Sequence, residues 1–86
     1  MSLSQVRIIR QQGRFLDRYN ECLTALETYM AEAHKLCDLL EACNGNAATV
    51  AEHLELAAQR DRENDSCLDY RRARSRLLHT AWLNSR

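Results

Sequence analysis

The chain has no proline and only two glycines among its 86 residues. Chain reversals lean on those two residue types, so few turns are expected, and few turns at this length require long helices. Strand formers are also scarce. Two valines, two isoleucines and five aromatic residues give a sheet little to build on. No apolar run approaches the roughly 20 residues that cross a membrane, and "MSLSQVRIIRQQGRF" lacks the apolar core of a secretory signal. The four cysteines, Cys22, Cys37, Cys43 and Cys67, form no C-x-x-C pair. With no signal segment, they read as reduced thiols in a cytoplasmic protein. Lysine occurs once against eleven arginines, a bias of GC-rich genomes that suggests a bacterial or phage source.

What is present is ordinary for a folded chain: 45% hydrophobic and 28% charged residues, which argues against disorder. Residues 1–86 are expected to form a single small domain, burying roughly 60% of its unfolded surface on its own. Helix is expected from Leu3 onward, with Ser2 and Gln5 at capping-box spacing. Three apolar columns then recur every seven residues. One is Ile8, Phe15, Cys22, Tyr29, Leu36 and Cys43; a second is Ile9, Leu16, Leu23, Met30 and Cys37; a third is Gln12, Tyr19, Leu26, Ala33 and Leu40. Only Gln12 interrupts them. Three columns make a face wider than the two-column seam of a simple coiled coil, suited to more than one neighbour. Gly13 costs about 1 kcal/mol inside a helix and marks a possible kink or frayed first turn.

"EACNGNAATVAEHLE", residues 41–55, carries the reversal. Gly45 suits a left-handed helix end, with Asn44 and Asn46 supporting the turn. Thr49 and Glu52 have capping-box spacing for the next helix, with Asn46 as a competing cap. The expected fold is all-α: a long antiparallel helical hairpin with helix about 3–43, turn about 44–48 and helix about 49–84. "QRDRENDS", residues 59–66, has no apolar side chain. It allows a break near 61–66, where Asn64, Asp65 or Ser66 could cap a third helix, but the absence of Gly and Pro there favours continuity.

Folding the chain at residue 45 sets Ile8 and Ile9 beside Trp82 and Ala81, and Leu36 and Leu40 beside Leu54 and Val50. Cys22 and Leu23 then meet Leu68 and Cys67. Between these layers Leu26, Tyr29 and Met30 face Asn64, Asp61 and Arg60, while Phe15, Leu16 and Tyr19 face Ser75, Arg74 and Arg71. The first helix thus offers more apolar face than the second covers, and exposed patches of that size usually mark interfaces. The expected function is therefore a non-enzymatic protein–protein interaction module (adaptor, inhibitor or chaperone-like). Leu16, Tyr19, Leu23, Leu26, Tyr29 and Met30 would do the binding. Its partner would be a second copy, as an antiparallel homodimer forming a four-helix bundle, or a helical protein. The bland alternative is a three-helix monomer with residues 66–84 folded back.

Net charge is zero but unevenly placed. Residues 1–18 carry +3, residues 19–65 carry −7 and residues 66–86 carry +4. A hairpin gathers both basic segments at one end. Opposite-polarity pairing of two copies follows from that layout, and so does a second reading, nucleic-acid phosphate binding through Arg7, Arg10, Arg14, Arg71, Arg72, Arg74 and Arg76. Arg7, Arg10 and Arg14 lie opposite the apolar columns, where solvated charge belongs. The arginines therefore rank second.

Chemistry is hard to find. His34 and Cys37 lie on adjacent turns, and His53 and Cys43 could approach them, yet the spacing matches no familiar zinc pattern. A Cys22–Cys67 disulfide is conceivable across the hairpin, but a reduced pair fits the compartment better. No nucleophile has a base beside it, no glycines cradle a phosphate and no carboxylate pair stands out. Arg71 and Arg74 near Tyr19 and Leu16 are the only enzymatic candidates, and such arginines more often snorkel or stack. No catalytic residue, cofactor or metal is expected.

Overall fold

The structure, a computed structural model, describes residues 2–43 and 49–85. Two helices hold nearly all of them, α1 (Leu3–Cys43) and α2 (Val50–Asn84). At 1.5 Å per residue the 41 residues of α1 span about 61 Å, and the molecule measures 68 × 16 × 15 Å. Its radius of gyration is 19.6 Å, against about 12 Å for a compact chain of this length. This is a rod.

The ends of the helices follow local chemistry. Ser2 N–H donates to Gln5 Oε1 (3.0 Å) and Gln5 N–H donates to Ser2 Oγ (3.2 Å), a reciprocal capping box. Thr49, extended at φ −71° and ψ 164°, caps α2 by accepting from Glu52 N–H at 3.1 Å. The turn read from Asn44, Gly45 and Asn46 lies outside the described residues. Helix α1 runs unbroken through Gly13, where an added Cβ would meet nothing within 4 Å. Gly13→Ala should therefore stabilise the chain by about 0.5–1 kcal/mol, measured by denaturant titration.

Helix α2 passes continuously through residues 61–66, which removes both the break near 61–66 and the three-helix alternative. The polar segment stays helical because two of its members turn inward. Gln59 and Ser66 are buried, as is Ala73, and no other described residue is. These three are seven apart and form one stripe of α2. A second inward stripe consists of Leu56, Glu63, Tyr70, Leu77 and Asn84, all partly buried. The α2 side of the seam is thus mostly small or polar. It admits α1 closely but offers little apolar area.

The pairing register differs from that of a chain folded at residue 45. Cys43 Sγ donates to Glu52 Oε2 at 3.7 Å, Tyr29 stacks on Tyr70 with centroids 6.2 Å apart, and Asn84 Nδ2 donates to the Gln11 carbonyl at 3.0 Å. These partners lie five to nine positions later than that fold implies, whereas Glu32 meets Gln59 only one position later. Ile8, Leu40, Val50 and Trp82, expected to form apolar layers, are all exposed, as are Leu54 and Leu68. All four cysteines are free thiols, and Cys67 neighbours Tyr29.

One cross-helix contact combines specificity with depth. Gln59, 2% exposed, donates through Nε2 to the Glu32 carbonyl (2.9 Å) and to Glu32 Oε2 (2.7 Å). Its Oε1 accepts from Arg62 Nε and Nη2 at 3.1 and 2.9 Å. The amide hydrogen bond, aided by Lys35 and Arg62, holds the Glu32 carboxyl below its ordinary value against the opposing effect of desolvation. Gln59→Ala should lower hairpin stability by about 1–3 kcal/mol, read from the melting temperature. With a depressed folded pKa, the contribution of Glu32 is complete above the unfolded carboxylate value and is lost as pH falls through the folded one. The gap between wild type and Gln59→Ala should therefore narrow from neutrality to about pH 3; a gap that widens would contradict this clasp.

Candidate protein-protein interface

The seam of the hairpin occupies only one edge of the apolar face of α1. Phe15, Cys22, Tyr29, Leu36 and Cys43 line it, together with the interleaved Gln11, Arg18, Ala25, Glu32 and Leu39. Within this set Phe15 is 36% exposed and the others are at least partly buried. The column of Ile9, Leu16, Leu23, Met30 and Cys37 lies outside the seam. Leu16 is 56% exposed, Leu23 42% and Met30 61%. Between that column and the seam run Gln12, Tyr19, Leu26, Ala33 and Leu40, of which Leu26 and Ala33 are half-buried and Tyr19 and Leu40 exposed.

The six residues singled out from sequence therefore divide. Leu16, Tyr19, Leu23 and Met30 stand on the open face, and Leu26 lies at its inner edge. Tyr29 is turned into the seam against Tyr70. Hydrogen bonding to Cys67, reinforced by the negative charge of Glu63 and by burial, raises the Tyr29 phenol above its ordinary pKa and keeps it neutral. Sequence periodicity could not separate Tyr29 from its neighbours, because α2 supplies the distinction.

Every charged residue of α1 falls outside the three apolar columns: Arg7, Arg10, Arg14, Asp17, Arg18, Glu21 and those that follow all lie elsewhere. The open face is consequently a chargeless strip running most of the helix. The comparable sides of α2 carry Arg60, Asp61, Arg71 and Arg74. A shallow depression lined by Arg71, Arg74, Ser75 and Leu78 lies there, and it is no continuation of the apolar strip.

The arginines do not converge. Arg71, Arg72, Arg74 and Arg76 occupy four different heptad columns and so fan around α2. Arg76 approaches Glu21 at 3.8 Å, and Glu21 also holds Arg18 at 3.0 Å. That level lies seven residues, about 10 Å, inward of Arg14. Among the described residues no group of three or more His, Cys, Asp and Glu side chains is placed to hold a metal ion, His34, Cys37, His53 and Cys43 included. No helix there is long and apolar enough to cross a membrane.

The accessible surface is 6853 Å², whereas a compact monomer of 10.0 kDa exposes about 5,200 Å². The surplus, about 1,600 Å², goes with the rod shape, which leaves much of both helices in contact with solvent. The seam and the open face are separable by mutation. In a sample dilute enough to be monomeric, Tyr29→Ala should lower the melting temperature, and Met30→Ala should leave stability within about 0.5 kcal/mol. Equal effects would mean that the two residues share one environment. Compared with known proteins, the chain matches no family, no curated protein and no solved structure, so the geometry alone carries the functional reading.

Proposed function

We propose that this protein is a small non-enzymatic protein–protein interaction module that binds through the open face of α1, and that its working form is a self-associated four-helix bundle. Adaptor, inhibitor and chaperone-like roles all use such a face, in which an apolar helix surface lies in a groove made by a partner. The observation that supports the reading is the chargeless, exposed strip through Leu16, Leu23 and Met30. Burying one such side chain contributes about 1.5–3 kcal/mol. Three or four of them together rival the 5–15 kcal/mol that typically holds a domain folded.

Nucleic-acid binding through the arginines has less behind it. The contacts would come from several faces of two helices at different heights, and Arg76 and Arg18 already share Glu21. Surface arginines so arranged still attract phosphate without specificity.

The direct test is the double substitution L16E/M30E, chosen because both side chains point away from the seam and the hairpin does not need them. The substitution removes about 3–6 kcal/mol of apolar burial per chain from any complex using this face, so association should weaken by at least about 100-fold. Helix content measured by circular dichroism should stay at its wild-type value. Unchanged association in this variant would show that binding does not use the face.

A further inference from the structure

Resting on that reading of the open face, we infer that its occupant is the same face of α1 in a second copy. The two helices run antiparallel and cross with Leu23 of one against Leu26 of the other. The open columns together form a second heptad seam, with steps of three and four from Ile9 to Leu40. A two-fold interface must be complementary to itself. An antiparallel pair centred between residues 23 and 26 meets that demand layer by layer. Tyr19 falls opposite Met30, a favourable thioether–aromatic contact, and Leu16 falls opposite Ala33, large against small. Gln12 falls opposite Cys37, and Ile9 opposite Leu40. A parallel pair would instead stack Tyr19 on Tyr19 and Ala33 on Ala33, making an overfull layer and then a hollow one.

Charge selects the same arrangement. Antiparallel α1 helices set the Arg7 and Arg10 end of one copy level with the Asp38 and Glu41 end of the other, and Arg14 level with Lys35. Glu52 and Glu55 of α2 add to the acidic end. Parallel helices would bring like ends together.

Area is sufficient. A standard interface takes about 800 Å² from each partner, and the open columns run most of the length of the 41-residue α1. At about 100° per residue the second seam lies roughly a quarter turn around α1 from the first. A second α1 therefore meets no obstruction from α2. Each α2 becomes an outer wall, and Arg60 and Arg74 sit in the cleft between the two walls. This is why α1, which carries no charge on this side, makes the contact and α2 does not.

The native cysteine at position 37 reports the arrangement. It is exposed and lies within the second seam. Within one chain, residues 12 and 37 are separated by about 37 Å of helix, so no internal disulfide can join them. In the full-length chain, light scattering should give twice the 10.0 kDa chain mass. Mild oxidation with oxidised glutathione should link Gln12→Cys to Cys37 of the second copy, giving a covalent dimer that disappears in Q12C/C37S. The wild type should stay unlinked, because antiparallel helices hold the two Cys37 residues far apart. A wild-type dimer linked through Cys37 would mean parallel helices and overturn the proposal. A dimer in which Q12C fails to link under the same conditions would overturn it too. So would a chain that remains monomeric at millimolar concentration, although the interaction-module reading would then still stand or fall by L16E/M30E.

Discussion

The stripe of Gln59, Ser66 and Ala73 is the constraint on which the rest of this structure depends. Three residues seven apart, none of them a large hydrophobe, form the only fully buried part of the described chain. A small and polar stripe lets α2 lie close to α1, and the Gln59 amide locks onto both the carbonyl and the carboxylate of Glu32. Such a bond fixes register better than it supplies stability, since a hydrogen bond exchanged with water nets only about 1 kcal/mol. Apolar burial, the usual source of folding free energy, is little used within the hairpin. It remains available on the other side of α1.

That division makes the two helices unequal. Helix α1 is built with two adjacent seams, one satisfied within the chain and one open. Its charges are confined to the remaining columns, where they meet neither seam except at Arg18 and Glu32. Those two exceptions are neutralised locally, Arg18 by Glu21 and Glu32 by Gln59, Lys35 and Arg62. Helix α2 distributes charge around its whole circumference, and its exposed Leu54, Leu68, Leu78 and Trp82 are interrupted by Arg60, Asp61, Arg71 and Arg74. Scattered apolar residues of that kind are normal on protein surfaces. A continuous strip is not.

Much of this was legible in the sequence. The want of Gly and Pro, the Ser2–Gln5 and Thr49–Glu52 caps and the three apolar columns define two long helices and a wide face on the first. The register was not legible. Heptad spacing repeats along both arms, so sliding one helix past the other by a few residues preserves the apparent match of apolar positions. Contacts such as Asn84 on Gln11 and Tyr29 on Tyr70 distinguish the slides, and a polar residue in a sequence does not announce that it faces inward. For the same reason the inward turn of "QRDRENDS" was not legible, although its first and last members are the most enclosed polar residues among those described. Tyr29 cannot be told from its neighbours by spacing, because its partner, Tyr70, comes into place only with the observed register.

A hairpin held in register by polar contacts, with its apolar capacity turned outward, would have its folding tied to any association through that face. Any partner that covers the open face adds a free energy of binding to a modest intrinsic stability, and the folded fraction then depends on the concentration of that partner. The hairpin alone hides only about half of the surface of its unfolded chain, short of the roughly 60% that a small independent domain reaches. Covering the second seam brings the figure into the normal range without any change in the first. The polar seam therefore governs how the two helices align, and on the proposed reading the apolar one would govern whether the aligned pair persists. Reversing those assignments, with Gln59→Leu and glutamates on the open strip, would lose both properties: register would slide, and nothing would remain to bind.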